Sequence, residues 1–221
     1  MPKRSFQIPD AVYLEKLLTK VGSEFEPESV PVHPEDYARP LNCYPNVDEK
    51  VRRDGGRPHY GWSIHKTNLL YEAERHAVWE NEDGELVDVT PYESGVNEIQ
   101  FVSDDNWVYT GKAVDNIRVN RTQNPLVDDF ILLAEAVSQA FAYGSRLDGN
   151  EHTIPQPALV VAESYQKLKD DLLEYIRLGG QPYSVCYCGL RRTYRNCHGS
   201  QLQEGIKMVM DKLHSLLGSP I

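Results

Sequence analysis

No apolar run in this 221-residue chain approaches the length of a membrane span, and basic residues are scarce. Lys and Arg number 23 against 33 Asp and Glu, which gives a formal net charge of −10. Because affinity for phosphate comes from Lys and Arg, this balance argues against a general nucleic-acid binder. The first ten residues also lack the apolar stretch of a secretory signal, so we expect a cytoplasmic protein without a membrane association.

Cysteine is also scarce, and it is unevenly placed. Of the four cysteines, Cys186, Cys188 and Cys197 fall within twelve residues, while Cys43 stands alone. This is not the disulfide framework of a secreted domain of this size. The spacing favours a metal cluster plus one solitary thiol in a reducing compartment.

The pattern of apolar residues predicts an α+β protein in two parts. Residues 1–122 are expected to form a mixed domain with a helix packed on an antiparallel sheet, and residues 123–221 a helical unit. Helices are predicted at residues 8–21, 46–54, 126–143, 158–178 and 201–217. Strands are predicted at residues 57–66, 69–80, 85–90 and 98–103, with a further pair within 106–119. Residues 22–40 and 144–157 are expected to be irregular.

Residues 72–91 are the most informative stretch. Asp83 and Gly84 lie between two β-rich runs, which is a strong hairpin signal. The first strand carries His76 in its middle, and the return strand carries Asp88. A turn near residues 82–83 would place these two side chains on neighbouring strands, close enough to meet. Such a pair is either half of a catalytic triad or a structural polar pair.

The solitary Cys43 is predicted at or just before the N-terminus of a helix, with Pro45 in the first turn. Backbone dipoles at that position favour the reactive thiolate. The order of Cys43, His76 and Asp88 along the chain is then helix start, strand and next strand.

Over residues 40–104 this order resembles the core of the transglutaminase-like superfamily of papain-type enzymes, which includes the arylamine N-acetyltransferases. The matching motifs are His-Ala-Val-Trp at residues 76–79 and Asp-Val-Thr-Pro at residues 88–91. The segment 52–61 also resembles the stretch between the family's helix and its first strand. The resemblance implies a helix that begins at the nucleophile and packs on the sheet.

The resemblance also implies a role for each residue. Cys43 would attack an acyl carbon, His76 would move the proton, and Asp88 would fix the imidazole tautomer. The Cys43 backbone N–H, with the Asn42 side chain, would stabilise the oxyanion. The implied function is hydrolysis, deamidation or acyl transfer on an amide or thioester.

A second motif lies near the C-terminal end. Cys186, Cys188, Cys197 and His198 supply three thiolates and one imidazole in a compact span, the ligand set of a closed structural Zn²⁺ site. Their Cys-x-Cys-Gly and Cys-His-Gly pattern resembles the SEC-C motif, named for the C-terminal tail of the preprotein translocase ATPase. The resemblance implies one structural zinc ion in a knuckle that serves partner binding.

Basic residues accompany this knuckle. Arg191, Arg192 and Arg195 form a local basic face on an otherwise acidic chain. Such a face could dock an acidic protein partner or a nucleic acid, or it could simply be solvated.

Other interpretations stay open from the sequence. The three clustered cysteines could be packed as small hydrophobic residues, and Cys43 could be an ordinary buried thiol. If Cys43 is inert, the chain is a non-enzymatic zinc-stabilised adaptor or a degenerate transglutaminase-like fold that is reused for binding. His59, His65 and His76 could also gather around a second metal ion.

Overall fold

The computed structural model describes residues 10–93, 95–111, 114–146 and 152–220. The chain divides into two compact units, one made of residues 1–67, 71–110 and 116–118 and the other of residues 68–70, 111–115 and 119–221. Helices and an antiparallel open sheet are both present, which confirms the α+β class. Among the described residues, no helix combines the length and the apolar character that a membrane span requires.

An open sheet is the framework of the first unit. Its strands are β1 (Glu28–Pro31), β2 (Arg57–Lys66), β3 (Leu70–Glu80), β4 (Leu86–Val87), β5 (Glu98–Ser103) and β6 (Ile117–Asn120). Their order is β1-β5-β2-β3-β4, and β6 also pairs with β3. The long hairpin of β2 and β3 stays in register from Arg57 opposite Glu80 to Lys66 opposite Tyr71. This unbroken register fixes which side chains share a face.

Alternation along the strands divides the side chains between the two faces of the sheet. Val78 belongs to one face, where it packs with buried residues of β1 and β5. Ala77 and Trp79 point to the other face and pack with helix α2 (Cys43–Asp54). The helix presents apolar side chains at residues 43, 47 and 51, a spacing that places them along one side. The Cys43 thiol is therefore the first side chain of this apolar stripe, at the N-terminal end of α2.

Helix α1 (Asp10–Val21) is held by apolar and polar contacts. Tyr13 and Leu17 are its buried residues. Asp10 pairs with Lys66 and accepts a hydrogen bond from the Tyr71 hydroxyl at 2.8 Å. The start of the helix is thereby tied to the β2–β3 hairpin.

The second unit is built on helices α3 (Leu126–Phe141), α4 (Gln156–Arg177) and α5 (Leu202–Leu217). Apolar residues at helical spacing on α3 pack with Leu172 and Ile176 of α4 and with Ile206 of α5. Cys186 and Tyr194 belong to the same buried cluster. The cysteine-rich segment is therefore anchored in the helical core.

The structure corrects the sequence-based assignment in several places. Residues 22–40, predicted as irregular, contain β1, which pairs with β5. The strand predicted at 85–90 is shorter in the structure, where only β4 of that segment pairs with β3. The pairing stops there because the Asp88 N–H donates to the Pro31 carbonyl of β1. Of the strand pair predicted within 106–119, the described residues form only β6.

Two further differences concern short elements. Residues 144–157, predicted as a loop, contain a hairpin of β7 (Ser145–Arg146) and β8 (His152–Thr153). Helix α2 begins at Cys43 and not at residue 46. Strands of two to four residues are too short to show a period-two pattern, and their pairing partners are set by the fold.

Gly61 lies in the middle of β2, where an added methyl group would collide with the sheet. A Cβ there would stand 2.2 Å from the Val102 carbonyl oxygen and 2.5 Å from the Phe101 ring. We expect Gly61→Ala to lower the free energy of unfolding by about 1–3 kcal/mol, the usual range for overpacking, as measured by urea denaturation. Gly205→Ala in α5 is the control, because the space around its added Cβ is open. Alanine there should stabilise the helix by about 0.5–1 kcal/mol, and equal effects of the two changes would contradict the crowding argument.

Candidate functional site

Cys43 is the first residue of α2, and its side chain is buried. Leu41, two residues earlier, has a φ of 61°, so the chain turns sharply before it enters the helix. Only 8% of Cys43 is exposed, and it packs against Ala77 and Val89. The first N–H groups of a helix have no intrahelical acceptor, so the thiol lies at a place where backbone donors are available to a ligand.

His76 and Asp88 form a buried pair. His76 Nε2 lies 2.9 Å from Asp88 Oδ2, and the two residues are 5% and 0% exposed. The hairpin register places Trp79 opposite Val87, so Asp88 meets His76 diagonally across the strands. Because an ionised carboxylate only accepts hydrogen bonds, His76 Nε2 carries a proton.

The Cys43 thiol approaches the same imidazole. Burial alone would lower the pKa of His76, but the neighbouring Cys43 and the hydrogen bond with Asp88 raise it well above its ordinary value of 6.5. Since Nε2 bonds to Asp88, Nδ1 is the nitrogen left for the thiol. Of the three residues that the sequence singled out, the structure joins His76 and Asp88 by a hydrogen bond, and Cys43 lies near enough to raise the pKa of the imidazole. The raised pKa keeps the imidazole protonated at neutral pH, beside the Asp88 carboxylate.

Asn46 ties the helix to the end of the hairpin. Its side-chain amide, one turn after Cys43, donates to Thr90 Oγ1 at 3.2 Å and to the Arg39 carbonyl at 2.8 Å. The Thr90 N–H in turn donates to Asp88 Oδ1 at 2.8 Å. A chain of hydrogen bonds therefore runs from the helix that carries the thiol to the carboxylate.

Tyr92 is a further donor to Asp88. Its hydroxyl donates to Asp88 Oδ2 at 2.6 Å and lies 3.4 Å from His76 Nε2. Nothing in the sequence marks Tyr92 or Asn46 as site residues, because their contacts depend on how the chain turns after Asp88. The Thr90 contact was open to prediction, since an Asp side chain often accepts from the N–H two residues later.

Asn42, predicted as an oxyanion donor, precedes Cys43 at the cap position of α2. Its side chain makes no capping hydrogen bond with the helix. The amide donates to the Pro40 carbonyl at 3.0 Å. The structure therefore places Asn42 beside the thiol with its amide engaged by the preceding turn.

Partly buried aromatic rings surround Tyr44, the residue directly after Cys43. Tyr44 stacks on Tyr109 with ring centroids 3.7 Å apart, and it tilts against Tyr60 and Trp107 at 6.2 and 6.0 Å. Burial raises the pKa of Tyr44 far above its usual range, so this phenol stays neutral. The rings form an apolar wall next to Cys43, the kind of lining that small-molecule sites use.

A separate group of side chains gathers in the second unit. The ligand atoms of Cys186, Cys188, Cys197 and His198 all lie within 4.8 Å of one another. Cys186 Sγ lies 3.2 Å from His198 Nδ1, and Cys188 Sγ lies 3.5 Å from Cys197 Sγ. Ligands bound about 2.0–2.3 Å from one tetrahedral ion stand about 3.3–3.8 Å apart. The group could therefore hold a metal ion.

The backbone around this cluster is fixed by short-range bonds and by an aromatic ring. The Cys186 N–H donates to the Arg192 carbonyl at 2.8 Å. Gly189, directly after Cys188, has a φ of 78°, a left-handed conformation that glycine adopts without strain. Gly199 lies against Tyr194, where an added Cβ would stand 2.5 Å from the ring. The ligand positions therefore depend on two glycines and on the packing of Tyr194.

The side chains predicted as a basic face are exposed. Arg191, Arg192 and Arg195 are all open to solvent, and Arg195 donates to the Tyr183 hydroxyl at 3.0 Å. Val185 and Leu190, in the same segment, are 67% and 59% exposed. The surface around the cluster is therefore both basic and apolar.

The alternative metal site of three histidines is not formed. His59 Nδ1 and Nε2 lie 2.8 Å from Glu80 and 2.9 Å from Ser103, and His65 pairs with a different carboxylate. With His76 bonded to Asp88, the three imidazoles have separate partners. Within the part of the chain that the structure describes, the Cys–His group is the only cluster suited to a metal ion.

No family model, curated protein or solved structure compared with this chain matches it. Any function assigned to the chain therefore rests on the geometry of its own residues.

The His76–Asp88 pair predicts how stability depends on pH. The pKa of Asp88 is lowered from its ordinary 3.8 because hydrogen bonds from His76, Tyr92 and Thr90 outweigh the effect of burial. Its contribution is present above that ordinary value and is lost as the pH falls through the folded-state pKa. The raised pKa of His76 acts in the opposite sense: its contribution is full below 6.5 and is lost as the pH rises through the folded-state pKa.

We therefore expect wild type to exceed Asp88→Asn in free energy of unfolding by about 3 kcal/mol between about pH 4 and 6.5, with a smaller difference on either side. Urea denaturation across this pH range measures the difference. Glu98→Gln, at an exposed position of β5, is the control and should show no such maximum. A difference for Asp88→Asn that does not vary with pH would contradict the ion-pair argument.

Proposed function

We propose that Cys43, His76 and Asp88 carry out cysteine-dependent acyl chemistry on an amide or thioester. The observation that carries the proposal is the buried His76 imidazole, which bonds to Asp88 at 2.9 Å through Nε2 and leaves Nδ1 for the thiol. A nucleophile beside a base that a third group orients is the arrangement that covalent catalysis requires.

The proposed steps start from a Cys43 thiolate and a protonated His76. The Cys43 thiolate attacks the acyl carbon, and the carbonyl electrons move to the oxygen, near the N–H groups at the start of α2. The amine or thiol then leaves with a proton from the His76 imidazolium as its bond to the acyl carbon breaks. Water or a second nucleophile gives a proton back to His76, attacks the acyl-enzyme and releases Cys43. Asn42 would supply a second oxyanion donor once its amide leaves the Pro40 carbonyl.

The same features support a transglutaminase-like core for the first unit. Helix α2 begins at the thiol and packs on antiparallel strands, as the motifs at residues 76–79 and 88–91 led us to expect. His76 comes from β3, and Asp88 follows β4, the next strand along the chain. Deamidation, hydrolysis and acyl transfer share this acyl-enzyme, so they differ only in the group that attacks it.

Alkylation by iodoacetamide tests the role of His76. In His76→Ala we expect Cys43 to react about 30-fold more slowly at pH 7, because a thiol without an imidazolium partner is only a few per cent thiolate at that pH. Peptide mass mapping separates Cys43 from the clustered cysteines. In addition, an activated acetyl ester should add one acetyl group to wild type and none at this position in Cys43→Ala.

His214→Ala, at an exposed position of α5, is the matched control and should leave the alkylation rate unchanged. A wild-type Cys43 that reacts no faster than free cysteine would remove the enzyme proposal.

The Cys186, Cys188, Cys197 and His198 group holds one structural Zn²⁺ in this proposal. Three thiolates and one imidazole complete a tetrahedral site and leave no open position for a substrate, and thiolate-rich ligand sets suit zinc. The ion would fix the knuckle to the core that contains Cys186. Thiolates that bind zinc must stay reduced, which supports a cytoplasmic protein.

Metal analysis tests this assignment. Protein purified without added zinc should contain one zinc per chain, and Cys186→Ser should lose it and unfold at a lower temperature. Cys43→Ser is the matched control and should keep the metal. A wild type without zinc, together with an unchanged melting temperature for Cys186→Ser, would sink the zinc proposal.

A non-enzymatic adaptor is the second candidate function, and the surface around the metal cluster favours it. The exposed Arg191, Arg192 and Arg195 lie beside the exposed Val185 and Leu190. An acidic protein segment with apolar side chains fits such a surface, whereas the net charge of −10 opposes a nucleic acid. An inert Cys43 in the alkylation experiment would make this the leading function.

A further inference from the structure

Two donors share one oxygen of the Asp88 carboxylate. Tyr92 donates its hydroxyl to Oδ2 at 2.6 Å, and His76 Nε2 reaches the same atom at 2.9 Å. The other oxygen, Oδ1, accepts the Thr90 N–H at 2.8 Å. The carboxylate is therefore surrounded by donors, and the phenol makes the shortest of these three bonds.

The Tyr92 phenol stays protonated and so remains a hydrogen-bond donor at neutral pH. Burial and the neighbouring Asp88 charge raise the pKa of Tyr92 far above its usual range. A neutral O–H directed at Oδ2 withdraws negative charge from the oxygen on which the imidazolium depends. The two donors therefore compete for one acceptor atom.

We propose that Tyr92 is a positioning residue that shares the Asp88 carboxylate with His76 and so limits how firmly the imidazole holds its proton. The inference rests on the proposed function of the Cys43 site. An imidazolium held by the full charge of Asp88 would be a poor acid towards a leaving group, because proton transfer is efficient when the donor is not overstabilised. Tyr92 moderates that hold and also fixes the carboxylate in place.

Other charged groups face His76 and stay in place when the phenol is removed. Cys43 approaches from α2, Asp88 from the end of β4, and Glu74 lies two residues away on the same face of β3. From β2, Gly61 lies opposite His76 and adds no side chain, while His59 is paired with Glu80. Removing the Tyr92 hydroxyl therefore changes one dipole and no charge.

The test is the titration of the His76 ring, followed by NMR in Tyr92→Phe. We expect the midpoint to rise by about 0.5 pH units, a roughly threefold change in the proton affinity of the imidazole, because Asp88 is no longer shared. A fluorinated tyrosine at position 92, whose phenol is a stronger donor, should lower the midpoint. This second substitution keeps the ring and the hydroxyl, so it probes the same bond without a risk to folding.

Tyr71→Phe is the matched control. Tyr71 lies on β3, the strand that carries His76; it is buried, and it donates to a carboxylate, Asp10 Oδ2, at 2.8 Å. Its loss should cost stability similar to that of Tyr92→Phe and leave the His76 midpoint unmoved. A midpoint that stays constant or falls in Tyr92→Phe would overturn the proposal, even if the variant is less stable.

The titration and the alkylation experiment test the role of Tyr92 and the acyl chemistry independently of each other. A shifted His76 midpoint with an inert wild-type Cys43 would retain the sharing of Asp88 and remove the acyl chemistry. A reactive Cys43 with an unshifted midpoint would retain the acyl chemistry and reduce Tyr92 to a packing residue.

Discussion

The first unit depends on the burial of one charged group, the Asp88 carboxylate, which has no exposed surface. Burial of the Asp88 charge without compensation would cost several kcal/mol, roughly. The side chains of His76 and Tyr92 and the Thr90 backbone offset that cost. The Asp88 backbone is engaged as well, since its N–H donates to the Pro31 carbonyl at 2.9 Å. Strand β3, strand β1 and the turn after β4 must therefore form together, because a half-satisfied buried network is worse than none.

This constraint also explains where the thiol lies. Asn46 on α2 bonds to Thr90, which bonds to Asp88, so the start of the helix is held at the level of the imidazole. Apolar packing against Ala77 and Val89 then buries the sulfur and fixes its approach. The hydrogen bonds through Asn46 and Thr90 thus fix the position of α2 along its axis. The apolar contacts with Ala77 and Val89 fix how closely α2 packs on the sheet. Together they hold the start of α2 against the hairpin that carries His76 and Asp88.

The group of Cys186, Cys188, Cys197 and His198 in the second unit is assembled in a different way. Its four ligands come from one short segment, so the loop-closure entropy that a bound ion must overcome is small. Gly189 permits the turn, and Tyr194 packs the segment into the helical core. Four protein side chains would fill the coordination of a tetrahedral ion, which is the pattern of structural metal sites. The cluster therefore fits a stabilising or docking role, in contrast to the pair of His76 and Asp88.

The local features of the fold could be predicted, whereas pairings between distant segments could not. Strands β2 and β5 have the predicted ends, and Asp83-Gly84 did indicate the hairpin. Strand β1 was not predicted because its four residues include one buried side chain and so show no alternating pattern. These residues form a strand because they pair with β5. The diagonal meeting of His76 and Asp88 likewise follows from the register of Trp79 opposite Val87, which a turn sequence leaves uncertain by a residue or two.

The sequence by itself determined the chemical types and their order: a lone thiol at the start of a helix, a histidine and an aspartate on a hairpin, and four side chains in one short segment that could hold a metal ion. These depend on spacing within a few residues, where backbone geometry leaves little choice. Only the tertiary structure decided that Tyr92 and Asn46 complete the network around Asp88. Their contacts arise when a buried charge collects donors from whichever segments pack around it, and local sequence does not encode that choice.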